Sequence, residues 1–351
     1  MEVDEGVPNE ILTTAIETLV SGGDLEEPDA AAVLREVMSG NASEVQTAAF
    51  LTSLRAKGET VGEITGLART MREFSARVPL EDHGLVDTCG TGGDKSGTFN
   101  VSTAAAFVVA GAGARVAKHG NRSATSLCGS ADVLEALGAV IELPPERVGE
   151  CIREAGIGFM FAPVHHQAMK HVIPVRMELG IRTTFNFLGP LTNPAGALYQ
   201  LVGVSDPGLL EVMAISLKLL GCRHGIVAHG SDGLDEITVC GPSAIAEIRD
   251  GIDGVNVYEV VPEDYGISRL EDPAALKGGD ARENAGIIRS VLRGETGGRR
   301  DIVLLNAGAA LYVAGVAESM AAGVELAAGS IDSGAASDRL SQFIEFTKRG
   351  N

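Results

Sequence analysis

The sequence lacks any C-x-x-C pair. Its five cysteines, Cys89, Cys128, Cys151, Cys222 and Cys240, are scattered and odd in number, which excludes a disulfide framework and gives no ground for a zinc site. A reducing, cytoplasmic setting is therefore expected. Cations are scarce as well: 28 Lys and Arg stand against 47 Asp and Glu, a net charge of −19. Such a field repels polyanions, so generic nucleic-acid binding is disfavoured. Long apolar runs are missing too. The longest, Ala104–Ala114, is about half of the ~20 residues a membrane span needs. The acidic start, Met1-Glu-Val-Asp-Glu5, does not resemble a signal peptide, and no membrane anchor is expected. No internal repeat or low-complexity tract stands out.

What remains is a globular composition, 45% hydrophobic and 21% charged over 351 residues, enough for roughly two domains. Glycine is in excess, at 45 residues against a usual ~7%. Residues 9–76 read as short helices: Leu12, Ile16, Leu19 and Val20 share one face, and Val33, Leu34 and Val37 form a second stripe. Ser43-x-x-Gln46 and Thr60-x-x-Glu63 have capping-box spacing. Beyond Pro79, short apolar runs (Leu85–Cys89, Ile157–Phe161, Leu201–Val204, Ile226–Ala228) alternate with glycine turns and helical stretches, which indicates an α/β layer. Residues 164–182 read as a helix whose polar face carries His165, His166, Lys170 and Arg176 and which packs back on the opening helices. The chain from Asn284 onward reads as helical.

Four segments carry chemistry. The run Asp87-Thr-Cys-Gly-Thr-Gly-Gly-Asp94 leads through Asn100-Val-Ser-Thr103 into an apolar helix. Glycines at a strand-to-helix turn let successive N–H groups converge on an anion, although a plain tight turn would look alike. The spacing fits neither a Walker A loop nor a dinucleotide fingerprint. The second segment concentrates Lys118, Asn121, Arg122, Ser123 and Ser126 in nine positions of an acidic chain, favouring an anionic ligand over a solvated polar loop. In the third, Asp235 and Glu236 follow an apolar strand, a placement that suits magnesium bridged to phosphate; a solvated turn is the alternative. In the fourth, Arg176 precedes Phe185, Phe187, Leu188 and Pro190. A guanidinium beside such a loop suits an aromatic carboxylate, and a salt bridge at a helix end would be the plainer reading.

Taken in order along nearly the whole chain, Asp87–Asp94, Asn100–Thr103, Lys118–Arg122, Gly129–Gly138 and Asn186–Pro194 resemble the anthranilate phosphoribosyltransferases. The resemblance implies a small all-helical domain, residues 1–78 with 164–184 packed against it, and a larger α/β domain, residues 79–351, built on a central mixed, mostly parallel sheet. It implies transfer of the phosphoribosyl group of phosphoribosyl pyrophosphate (PRPP) to the amine of anthranilate in tryptophan biosynthesis, by a homodimer. The PRPP contacts it implies are Gly90, Gly93, Asp94, Thr98, Asn100, Val101, Ser102, Thr103, Lys118, His119, Gly120, Asn121, Arg122, Ser123, Ala124, Thr125, Ser126 and Ser130. Gly90, Asn121 and Arg176 carry over for anthranilate, and Ser102, Asp235 and Glu236 for Mg2+. Lys118 would stabilise developing charge, and no general base is identifiable. Gln167 and Leu127–Cys128 depart from the family pattern without removing a charged or metal-binding group. A pyrimidine nucleoside phosphorylase is the competing enzyme reading, opposed by Lys118–Arg122 and Phe187–Pro194. A nucleic-acid-binding module is opposed by the charge balance.

Overall fold

The computed structural model describes residues 7–80, 84–123 and 127–349. Four helices open the chain: α1 (Glu10–Val20), α2 (Glu27–Met38), α3 (Glu44–Lys57) and α4 (Val61–Glu73). Asn9 caps α1 by accepting from the Leu12 amide at 3.2 Å, which satisfies one orphan donor of the first turn. Leu12, Ala15 and Leu19 form its buried stripe, whereas Val20, read as part of that stripe, is exposed. The Thr60–Glu63 capping box forms in full. The Ser43 box forms by half: its hydroxyl accepts from the Gln46 amide, but the Gln46 carboxamide pairs instead with the backbone of Asn9 at 3.0 Å in both directions. A tertiary partner outcompetes the local one.

The α/β layer follows as β1 (Leu85–Gly90), α5 (Val101–Gly111), β2 (Arg115–Gly120), α6 (Ser130–Leu137), α7 (Pro145–Ala155), β3 (Ile157–Phe161), α8 (Ala162–His165), α9 (Ile173–Leu179), β4 (Tyr199–Gly203), α10 (Leu210–Leu219), β5 (His224–Gly230), β6 (Ser243–Arg249) and β7 (Asn256–Val260). The chain closes with α11 (Ala281–Leu292), α12 (Gly298–Val313), α13 (Met320–Asp332) and α14 (Ala335–Lys348). The sheet runs β3-β2-β1-β4-β5-β6-β7. Strands β1 to β5 are parallel, and β6 and β7 pair antiparallel at one edge. Helices cover both faces, which explains the unbroken apolar strand runs.

Helix α5, whose residues Val101 and Thr103–Ala110 are buried, packs with α11–α14 into the core on one face of the sheet. On the other face, α10 and the opening helices share a core with Val172, Val175, Phe187 and Leu191. Arg72 of α4 pins the helical layer to the α/β layer, donating to the carbonyls of Leu191 at 2.7 Å and Leu220 at 2.8 Å.

Residues 164–182 do not form one helix. They divide into the end of α8, a 3-10 turn over Gln167–His171, and α9. Pro174 has no amide with which to continue an upstream helix, so a new one starts there. His165 and His166, read as polar-face residues, are 0% and 4% exposed. No described helix is long and apolar enough to cross a membrane.

Candidate active site

The strand order reverses between β1 and β4, each of which leads away to one side of the sheet. In parallel sheets the crevice beyond the carboxyl ends at such a point is the natural ligand site. Gly90 and Gly203 face each other there in register. A Cβ on Gly203 would overlap the Asp235 carbonyl oxygen, and one on Gly90 would overlap the Asp235 carboxylate. Both positions need glycine because the turn after β5 lies directly on them.

Beyond Gly90 the chain makes left-handed turns at Gly92 (φ 68°), Gly93 (φ 78°), Lys95 (φ 58°) and Gly97 (φ 69°). Lys95 is the one non-glycine among the described residues with positive φ, a conformation that costs a side chain energy and clusters at ligand sites. The Thr91 amide donates to the Gly203 carbonyl at 2.9 Å, and Ser205 Oγ donates to the Gly92 carbonyl at 3.0 Å. Ser96 Oγ donates to Asp94 at 2.6 Å and itself lies 3.1 Å from the Thr98 hydroxyl. The Gly92 amide already holds an anion, the Asp235 carboxylate, at 2.6 Å.

Glu236 accepts from the Ser102 amide at 3.1 Å, in the first turn of α5, where the helix dipole favours negative charge. Lys118 Nζ donates to the Thr88 carbonyl and to Ser102 Oγ at 3.2 Å. Asp87, buried beneath, accepts from the His119 amide at 3.2 Å and from Asn193 Nδ2 at 2.7 Å. Burial raises Asp235 to about 6, with repulsion from Asp94 adding to it. Burial and the Asp235 charge push Glu236 well above its usual range. Burial also pulls Lys118 down, against the attraction of Asp87. Two partly buried carboxylates with one shared amine leave the pocket short of positive charge, which fits a divalent cation completed by substrate oxygens. No three His, Cys, Asp or Glu among the described residues form a metal cage by themselves.

The second segment lies beside this cluster. Asn100 Nδ2 donates to the Cys128 carbonyl at 3.1 Å, and Asn284 Nδ2 donates to Asn100 Oδ1 at 3.0 Å, so a residue of α11 orients the start of α5. Ser130 Oγ donates to the Asn121 carbonyl at 3.3 Å. Arg122 donates to Asp132 Oδ1 at 2.9 Å and to the two carboxylate oxygens of Glu135 at 2.5 and 2.9 Å, while the Ser123 amide donates to Asp132 at 3.2 Å. Val101 and Thr103 turn their side chains into the core. Gly120 packs on Ser130. Ala124, Thr125 and Ser126 lie outside the described residues.

Arg176 stands on α9 with its guanidinium 5.6 Å from the Phe185 ring centroid. It has no anionic partner among the described residues, and burial alone lowers its pKa. The ring of His119 lies against that of His166, centroids 5.1 Å apart, and buried nitrogens of both rings have no hydrogen-bond partner among the described residues. Asp87, Asn193, Asn284 and Arg182 join the site without any local sequence signal of their own. Asp87 and Asn193 sat inside the quoted motifs, but nothing local shows that they meet.

A model of the glycosyl transferase family a/b domain matches residues 82–337, and one of that family's helical bundle domain matches residues 13–75. An anthranilate phosphoribosyltransferase of Rubrobacter xylanophilus is 58% identical over 340 residues, 97% of this chain and 98% of the relative. The crystal structure of that enzyme from Thermus thermophilus superposes with a TM-score of 0.90 at 46% identity, covering 95% of this chain and 99% of the other. The Saccharomyces cerevisiae enzyme in complex with PRPP and Mg superposes with a TM-score of 0.88 at 27% identity, covering 96% and 97%. Agreement of this extent across both layers makes the chain a member of the anthranilate phosphoribosyltransferase family.

Proposed function

We propose that the crevice transfers the phosphoribosyl group of PRPP to the amine of anthranilate, giving N-(5-phosphoribosyl)anthranilate and pyrophosphate. The observation that carries this reading is the convergence of the Gly92 amide, the first turn of α5 and Lys118 on the neighbouring carboxylates Asp235 and Glu236. The amine lone pair forms the bond to C1 of the ribose as the C1–O bond breaks, and its electron pair leaves with pyrophosphate. The amine proton passes to water or pyrophosphate.

Charge on the departing group is the main barrier, and preorganised donors address it directly. Asp235 and Glu236, with Ser102 beside them, would hold a magnesium ion, which would supply charge neutralisation on the diphosphate. Lys118 and the loop amides add fixed positive charge. Arg176 grips the anthranilate carboxylate by a forked pair while Phe185 supports the ring, and Asn121 also contacts anthranilate; both act by orientation.

The same reading makes residues 1–78 and 164–184 one helical domain against an α/β domain of residues 79–351, supported by the packing of Val172 and Val175 with α1–α4. We also read a cytoplasmic homodimer. Its support is five free cysteines and exposed Ile11, Val45, Ile173 and Met177 on adjoining helices. Fluorescence loss of anthranilate with PRPP and magnesium, each omitted in turn, tests the reaction; no loss in the complete mixture would end it. Light scattering tests the dimer.

A further inference from the structure

Three cations near the ligand-facing segments already have a task. Lys118 is buried against Thr88 and Ser102, Arg122 is clamped by Asp132 and Glu135, and Arg176 lies over Phe185. Arg182 differs. It is exposed, it forms no ion pair among the described residues, and its Nη1 donates to the Gly93 carbonyl at 3.4 Å. A Cβ on Gly93 would stand 2.8–3.1 Å from three guanidinium atoms, so the group lies flat on the bare face of the glycine. Asp235 lies close enough to feel the charge of Arg182.

We propose that Arg182 is a further residue of the donor subsite, contacting the diphosphate of PRPP and the pyrophosphate it becomes. The inference rests on the phosphoribosyl-transfer reading above. The Gly93 carbonyl at the rim of an anion cradle opposes a diphosphate. A guanidinium on that carbonyl offsets its partial charge and keeps most of its five N–H donors for phosphoryl oxygens, which it matches in pairs. In an acidic chain, an unpaired cation at this rim also raises the local concentration of an anionic substrate. Gly93 serves here by having no side chain, which gives the arginine a surface to lie on.

The test is calorimetric titration of inorganic pyrophosphate, with magnesium present, into the full chain and its Arg182→Ala and Arg182→Lys variants, alongside steady-state kinetics. Loss of a charge-assisted contact weakens pyrophosphate binding about tenfold or more in Arg182→Ala. The KM for PRPP rises in parallel, the KM for anthranilate stays within about twofold, and Arg182→Lys recovers part of the loss. Pyrophosphate binding to Arg182→Ala at wild-type affinity, or an equal rise in both KM values, overturns the assignment. A wild-type protein that transfers nothing to anthranilate refutes the reaction instead, so the two failures are distinguishable.

Discussion

The Gly92 amide donates to Asp235 Oδ2 over 2.6 Å, although 143 positions separate the two residues. This bond ties the anion loop after β1 to the carboxylate turn after β5. If Asp235 holds magnesium as proposed, loop geometry and metal affinity are coupled through one side chain. Replacing Asp235 by Asn and Glu236 by Gln should reduce kcat/KM on the order of 10²–10³ and raise the magnesium concentration needed for half-maximal turnover. An unchanged magnesium dependence would reject the assignment.

The same carboxylate gives a pH signature. Burial and Asp94 raise Asp235 to about 6, so the folded state binds its proton more tightly than the unfolded state does. The sign follows: without metal, this group adds stability as pH falls from about 6 toward ~4 and withdraws it as pH rises. Metal affinity runs the opposite way, because the ligand must be ionised. Calorimetry in buffers of different ionisation enthalpy should show proton release on magnesium binding that grows as pH falls through about 6. Asp235→Asn should remove that part of the release.

Two glycines separate packing from propensity. At Gly203 a Cβ overlaps the Asp235 carbonyl, so Gly203→Ala must displace the carboxylate turn; a loss of about 1–3 kcal/mol is expected, together with weaker PRPP binding. Gly286, inside α11, has nothing within 4 Å of its Cβ position and no positive φ. Gly286→Ala should stabilise the fold by about 0.5–1 kcal/mol. Thermal melts of both variants decide the pair, and a destabilised Gly286→Ala would count against the described helix.

Much of this was legible in local sequence, and the exceptions share one cause. The runs at Leu85, Ile157, Leu201 and Ile226 fall in β1, β3, β4 and β5, because strands covered on both faces must be apolar throughout. The glycine loop was visible because tight turns and close approach leave a compositional trace. Burial of His165 and His166 left no such trace: two adjacent imidazoles read as the polar face of a helix until the packing around the end of α8 encloses them. Gln46 had the right spacing for a capping box, and only the fold placed Asn9 within its reach. The tie of Arg122 to Asp132 and Glu135 spans 10 and 13 positions, beyond the reach of a motif. Local chemistry shows in sequence, whereas pairings across the fold do not.

Asp87 illustrates such a pairing and what its loss would do. It is fully buried, and one carboxylate oxygen depends on Asn193 Nδ2 at 2.7 Å while the other takes the His119 amide at 3.2 Å. Asn193 also donates to the Ala117 carbonyl at 2.8 Å, so a single carboxamide secures both β2 and the carboxylate beneath Lys118. Asn193→Ala strips one oxygen of its donor inside the core and should cost about 1–3 kcal/mol, read by chemical denaturation.

The proposed acceptor role of Arg176 gives the sharpest test that separates the two substrates. Its guanidinium is half-buried, lies over Phe185 at 5.6 Å and has no anionic partner among the described residues. Desolvating a cation is costly unless a counter-charge arrives, and a carboxylate on an aromatic ring satisfies both the guanidinium and the apolar surface. Losing a charge-assisted forked pair costs about 1.5–3 kcal/mol, so Arg176→Ala should raise the KM for anthranilate roughly 10- to 100-fold with little change for PRPP. Arg176→Lys should recover little, since an ammonium cannot form the fork. A variant in which both KM values rise together would place Arg176 in the scaffold rather than against the acceptor.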